Sequence, residues 1–418
     1  MTEAVRPALA RRYRQERLLV LAGKASIVIA LLFLAGLLGN VAVNGWRALL
    51  RAEIQLPVHF DPAVIGAAGE HDALAYARLV KQAARADLAP DAGRKARKEA
   101  QQLLSFGAAL QLRDAVAADP ALVGATKEVW LPAASAAELH LKAFEALPGA
   151  AGRGLNLSER QATLLDRLHE EGRTALRFNG RFFTAGDSRD PEAAGIGGAL
   201  MGSLLTLIVT LIATFPVGVG AAVYLELLAP RSRVFDFIEV NINNLAAVPS
   251  VIMGLLGLAV LIGVFGVSRS TPLVGGMVLG FLTLPTIIIA ARAALKAVPD
   301  SLLHAALSLG ATRLQGIVHQ VLPAAMPGIM TGTIIGMAGA LGETAPLLMV
   351  GMVAFVVAVP TGFGDVATAL PVQIFLWADS PERGYVEKTA LAICVLIAFL
   401  LAMNAAAIWL RRRFEKLL

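Results

Sequence analysis

A single cysteine in 418 residues, Cys394, excludes an internal disulfide and any CxxC metal site. It lies in an apolar run, where a packing role stands against that of a reactive thiol. Charge and aromatic residues are also scarce, at 16% and 6%, against 56% hydrophobic residues. Soluble domains carry roughly 25% charged residues, so this composition belongs to the membrane class. The histidines are not spaced as metal ligands, and no GxxxxGK[ST] phosphate loop occurs, so the chain has no ATP-hydrolysing motif of its own. A formal charge of +6 does not point to nucleic acid, because the basic residues gather at the two ends and beside apolar runs.

Long apolar sequence, by contrast, is abundant. Runs of about 18 or more residues can cross a hydrocarbon core of about 30 Å as helix. They predict six spans, at roughly 25–45, 197–225, 243–266, 272–293, 326–354 and 388–410. The first follows a basic segment, as a signal peptide does, but lacks a small-x-small cleavage site and reads as a retained helix. An even number of spans puts both termini on one side. Arg6, Arg11, Arg12, Arg14, Arg17 and Lys24 at one end, and Arg411, Arg412, Arg413 and Lys416 at the other, make that side cytoplasmic. The connections 226–242 and 294–325 join them there, whereas Ser268–Thr271 and 355–387 fall outside.

Four regions follow: a basic N-terminus over 1–24, a first transmembrane helix over 25–46, a periplasmic helical insert over 47–195, and a membrane bundle over 196–418. The insert is rich in Ala, Leu, Arg and Glu, with helical spacing in 71–116 and 158–176. Asp72 to Val80, for example, places apolar residues at i, i+3, i+4 and i+7. Arg94 to Lys98 reads as a solvated helix face or as a contact for anions or acidic lipid.

The most informative stretch joins spans four and five, over 298–323. Pro299 ends one helix, Asp300 or Ser301 can cap the next, and Gly310 is the residue type that stops it in a left-handed turn. Thr312 can cap a second helix, which Pro323 and Pro327 would terminate. Such a helix–turn–helix on the cytoplasmic face suits docking into a groove of a soluble partner, or lying on lipid. His304-Ala305-Ala306, then Gly310, then Val321-Leu322-Pro323 resemble the EAA loop of ABC importer permeases. His304 stands where that family has Glu, and the hydrophobic residue before Leu-Pro is displaced by one.

The resemblance extends over about 180–418. Gly186 to Pro191, Ile238 to Ser250, Leu341 to Leu347 with its Gly-Glu-Thr-Ala-Pro element, and Leu370 to Ile374 are similar to the A subunit of phosphate-specific (Pst-type) ABC permeases. It implies an all-α polytopic protein of the bacterial inner membrane, with six transmembrane helices in the MetI-like arrangement plus a helical extramembranous insert. The implied function is that of the permease subunit of an ATP-driven phosphate importer. Its implied partners are a homologous permease of the Pst-type C class, an ATPase dimer docked at His304, Ala305, Ala306, Gly310, Leu322 and Pro323, a periplasmic phosphate-binding protein, and membrane lipid. The chain would bind no cofactor, ATP and Mg being used by the ATPase. The same architecture would serve another oxyanion or solute; a secondary transporter and a phosphate-status sensor are further readings.

Within the bundle, Glu343 is placed inside span five, where an ionisable residue is a pathway or gating candidate or else an interhelical tie. A carboxylate repels phosphate, so gating or cation pairing suits it better than anion contact. The phosphate family often has Arg four residues earlier; here that position is Gly339. Thr344 beside it offers a hydroxyl, and Asn241, Asn243, Asn244 and Ser250 are neutral donors that either line a path or bond between spans. Pro216, Pro249 and Pro285 bend successive helices around a cavity or simply end them. Arg292 reads as a positive-inside anchor or as an exit contact for phosphate.

Overall fold

Apolar sequence without a preferred face folds as helix in lipid because helix satisfies the backbone within the segment. In the computed structural model, which describes residues 5–66, 72–90, 93–146, 156–353 and 355–415, the first such element is α1 (Val5–Trp46). Its side chains from Arg12 to Gly39 are all exposed. The chain then leaves the helix as strand β1 (Leu50–His59) and builds the insert. Helices α2 (Ala73–Leu88), α3 (Arg94–Gln101) and α4 (Gly107–Ala118) precede β2 (Thr126–Pro132). Helices α5 (Ser135–Ala146) and α6 (Glu159–Glu170) precede β3 (Thr174–Phe178).

The insert is mostly helical, as the sequence reading expects, and adds a three-stranded sheet that the reading did not include. β1 pairs antiparallel with β2 and β3 in the order β2-β1-β3, with Ile54 opposite Leu131 and Ala52 opposite Leu176. Ala52, Ile54, Leu56 and Val58 alternate along β1 and are buried against Tyr76, Leu79, Leu103, Leu112, Leu165 and Leu168 of the insert's own core. One face of the sheet is covered by helices, and period-two alternation is the pattern such a half-covered strand requires.

The membrane bundle begins with α7 (Gly197–Val223), which widens into a π-helical turn at Tyr224–Leu228. Next come α8 (Arg233–Ala246) and α9 (Ser250–Gly257, continued by π-helical turns to Val264), bent from each other by 103°. The expected third span, 243–266, is thus broken near its start. Pro249 sits at the break, lacking a donor and biasing Val248 away from helix. Helix α10 (Pro272–Lys296) follows, then α11 (Asp300–Ser308), a turn at Arg313–Gly316, a π-helical turn at Ile317–Val321 and α12 (Leu322–Gly342). Pro323 and Pro327 do not terminate that helix: Pro323 lies in its first turn, and the ladder widens immediately before it. The remaining helices are α13 (Ala345–Met349), α14 (Leu370–Ala378) and α15 (Gly384–Glu415). Among the described residues five helices are long and apolar enough to span a membrane, or six if the α8–α9 pair counts as one.

Small residues let these helices approach, as is usual where lipid supplies no hydrophobic drive between helices. Thr210 of α7 donates to the Gly276 carbonyl of α10 at 3.0 Å, where a Cβ on Gly276 would lie 2.5 Å from Val209. Gly332 of α12 admits Ala290 of α10 in the same way. Of the internal prolines, Pro216 and Pro285 stay inside α7 and α10.

The insert and the 298–323 loop occupy opposite ends of the bundle, because α7 and α15 start beside the insert whereas α10 ends at the loop. At the insert end the junction is ionic and buried. Lys142 of α5 donates to Glu138 at 2.6 Å and to Glu387 of α15 at 3.0 Å, and Lys388 donates to the Ala194 carbonyl at 3.0 Å. Burial pushes the Glu192 carboxyl above the usual range, and the neighbouring charges of Asp190 and Glu138 add to this. Beside it, Asp187 accepts from Trp377 at 3.0 Å, and Tyr385 donates to the Ser188 carbonyl at 2.6 Å. Burial raises the Asp187 carboxyl despite the hydrogen bond from Trp377.

Candidate functional site

The loop between α10 and α12 forms a projecting knob. No side chain of α11 is buried, and Leu309 is 90% exposed, Leu314 60% and Val318 45%. Pro299, not Asp300 or Ser301, occupies the N-cap position of α11, with no side-chain cap. At the other end Gly310 has φ +86°, the Ala311 N–H reaches the Ala306 carbonyl at 3.1 Å, and the Gly310 N–H reaches Leu307 at 3.0 Å. That pair of bonds is a Schellman motif, which absorbs helix carbonyls that would otherwise be left open. Thr312 and Gln315 then close a reciprocal capping box, at 3.3 and 2.9 Å.

The knob is tied to the bundle at several points. Gly316 lies so close to α11 that a Cβ there would meet Leu303 at 2.7 Å. Ile317 and Val321 are buried, Val321 in a cluster with Ala291, Leu295, Ala325 and Ile329. Arg313 donates to the Leu227 carbonyl at 2.6 Å, reaching the end of α7. Displacing the knob therefore pulls on α7, α10 and α12 together. His304 and Ala305 are exposed, and Ala306, Leu322 and Pro323 half-buried.

Arg292 is engaged as a structural tie. It bonds Glu226 at 3.2 Å and Glu239 at 3.0 Å and lies over the Phe235 ring, joining α7, α8 and α10 at the knob end. The sequence singled out Arg292 but not its two partners.

Glu343 does not lie within the helix of span five, contrary to the sequence reading. Helix α12 stops at Gly342, Glu343 is extended at φ −79°, ψ 114°, and the chain resumes as α13. A proline at 346, without an N–H, cannot carry the helical ladder through this point. Glu343 and Thr344 are half-buried, and no ion pair to Glu343 occurs among the described residues. Asn241, Asn243 and Asn244 are exposed on α8, which lies before the elbow, and Asn241 bonds back to the Phe237 carbonyl at 2.7 Å. Ser250 opens α9 beyond the elbow. The two interruptions approach each other through α9 and α13, where a Cβ on Gly254 would touch Pro346 at 2.7 Å. Irregular backbone at membrane depth is tolerated where it is covered by protein or lines a cavity.

Residues 214–416 match the family model of the binding-protein-dependent transport system inner membrane component. The phosphate transport system permease protein PstA 1 of Mycobacterium tuberculosis is 33% identical over 221 residues, covering 52% of this chain and 71% of that protein. The chain belongs to the ABC-importer permeases. The probable ABC transporter permease protein YqgI of Bacillus subtilis is 29% identical over 242 residues, 55% of this chain and 82% of its own. A chain of the MetNI methionine ABC transporter in an inward-facing conformation aligns at 18% identity over 52% of this chain and 97% of its own, with a TM-score of 0.43. A domain of unknown function matches residues 6–145, which span α1 and much of the insert. As an ABC-importer permease the chain is a multi-pass helical subunit of the bacterial inner membrane, and the match takes in both the knob and the two helix breaks.

Proposed function

We propose that this permease forms half of the translocation path of an ATP-driven inorganic phosphate importer and docks its ATPase through the knob of 298–323. The observation that carries the docking role is the knob itself, an apolar tip with Leu309 90% exposed, held in one shape by the turn at Gly310 and wired into three helices. Exposed apolar side chains on a rigid helix are what a partner groove recognises. Phosphate as cargo is supported by the resemblance of Gly186 to Pro191, Ile238 to Ser250 and Leu341 to Leu347 to Pst-type permeases, and by the likeness to the mycobacterial phosphate transport system permease protein.

In this reading the knob end faces the cytoplasm and the insert lies outside. A homologous Pst-type C permease completes the path, two ATPase subunits using ATP and Mg sit below, and a phosphate-binding protein delivers from above. ATP-driven closure moves the knobs, and α7, α10 and α12 follow as a unit. The breaks at Pro249 and Glu343 form the gate region, with Asn241, Asn243, Asn244, Ser250 and Thr344 offering weak neutral contacts to a passing anion and Glu343 acting on the gate. Copurification with the ATPase tests the docking role; the expected result is a stoichiometric complex that dissociates when Leu309→Asp places a charge on the tip. A complex indifferent to that change would remove the knob from the interface.

A further inference from the structure

The insert carries a cationic surface that the importer reading leaves unused. Along α2, Arg78, Lys81 and Arg85 recur at i, i+3 and i+7 and are exposed; on α3, which packs beside it, Arg94, Lys95, Arg97 and Lys98 are exposed as well. None of these seven side chains has an ion pair among the described residues. Elsewhere in the insert Arg51, Arg113, Lys142, Arg167, Arg173 and Arg177 are each paired with a carboxylate. The Asp87 carboxylate on α2 is taken by Arg173, and Glu99 on α3 is half-buried, so neither α2 nor α3 neutralises the surface from within.

Two features say what kind of partner fits. Helix α3 has only Ala96 and Ala100 as apolar residues, so it offers nothing to sink into hydrocarbon, which a membrane-surface helix needs. The surface also lies on elements that pack against β1, α4 and α6, whereas α5, the 191–193 turn and the start of α15 carry the junction with the bundle. That junction is rigid. Lys142 bridges Glu138 and Glu387, Lys388 holds the Ala194 carbonyl, and Gly384 is pressed against Ser135 and Pro191. A surface fixed in this way to a membrane helix holds whatever binds it at a set position relative to the bundle.

We propose that the cationic face of α2 and α3 docks an acidic face of the importer's soluble solute-binding protein, making the insert a fixed docking arm. This inference rests on the importer reading. Charge complementarity of this kind acts mainly on encounter rate and register, and it weakens with salt.

The test uses the full permease complex in nanodiscs with its own solute-binding protein, in wild-type form and in a variant carrying Arg78→Gln, Lys81→Gln, Arg85→Gln, Arg94→Gln, Lys95→Gln, Arg97→Gln and Lys98→Gln. The expected result is a Kd raised about tenfold or more at low ionic strength, a loss of the salt dependence shown by wild type, and unchanged ATP hydrolysis without the solute-binding protein. A variant with the wild-type Kd and salt dependence overturns the proposal. So does a variant that loses only its binding to phosphatidylglycerol-containing vesicles, since that assigns the surface to lipid. Failure of the wild-type complex to bind the solute-binding protein at any salt, or to transport, overturns the importer reading and this inference together.

Discussion

The turn at Gly310 offers a sharp perturbation, because its cost can be assigned to the backbone alone. A Cβ built at Gly310 meets nothing within 4 Å, so no neighbour resists a side chain there. The residue nonetheless sits at φ +86°, where an L-residue costs about 1–2 kcal/mol and a β-branched one the upper end of that range. If the chain escapes by leaving that conformation, it loses the bonds from Ala311 to Ala306 and from Gly310 to Leu307, each about 0.5–1 kcal/mol in so exposed a place. Either route makes Gly310→Val cost roughly 2 kcal/mol, a decrease of about 30-fold in the equilibrium constant for forming the docking-competent knob. The membrane helices do not depend on the turn, so the mutant should insert in normal amount. ATPase copurification should fall, as should ATP hydrolysis stimulated by phosphate-loaded binding protein, with Gly310→Asn in between because Asn tolerates the left-handed region. Normal copurification and normal stimulation in Gly310→Val would refute the coupling role.

Arg292→Met should lower the thermal stability of the purified protein by about 2 kcal/mol, because Glu226 and Glu239 are left facing each other; the figure is below that for a fully buried pair because Glu239 is 36% exposed. Glu343→Gln should slow transport while leaving ATPase assembly intact, and unchanged uptake would make the residue structural. Protease added to sealed right-side-out vesicles should cut within 60–180 and spare 294–325, and a cut in the knob from that side would invert the topology. Glu192 has a raised carboxyl, so the folded junction binds its proton more tightly than the unfolded chain does, and stability falls as pH rises from the ordinary carboxylate range through the raised value. Glu192→Gln should flatten that stretch of the melting-temperature profile, and an unaltered profile would remove Glu192 as its source.

Features set by local chemistry were legible in the sequence. A glycine after a short helix announces a left-handed stop, Thr312 marks the N-cap of the next helix, and apolar runs mark membrane helices. The exact helix breaks were hidden for a physical reason: hydropathy averages over a span and does not register where the backbone ladder is interrupted, so Pro249 and Glu343, although singled out, were placed within single continuous spans. The insert's sheet left a signal, the alternation of Ala52, Ile54, Leu56 and Val58, which the Ala- and Leu-rich helical composition around it obscured. Tertiary pairs had no local signature at all. Arg292 meets carboxylates 66 and 53 residues away, and Lys142 meets Glu387 across 245, distances over which spacing carries no information.

In the proposed function phosphate crosses the membrane through this chain at the expense of ATP. Proteoliposomes containing the permease, its homologous partner and the ATPase, supplied with the phosphate-binding protein and labelled phosphate, measure it directly. The expected result is ATP-dependent phosphate accumulation that excess sulfate or molybdate does not suppress and that fails when the ATPase is omitted. Accumulation that persists without ATP, or that follows another anion or solute in preference to phosphate, would contradict it.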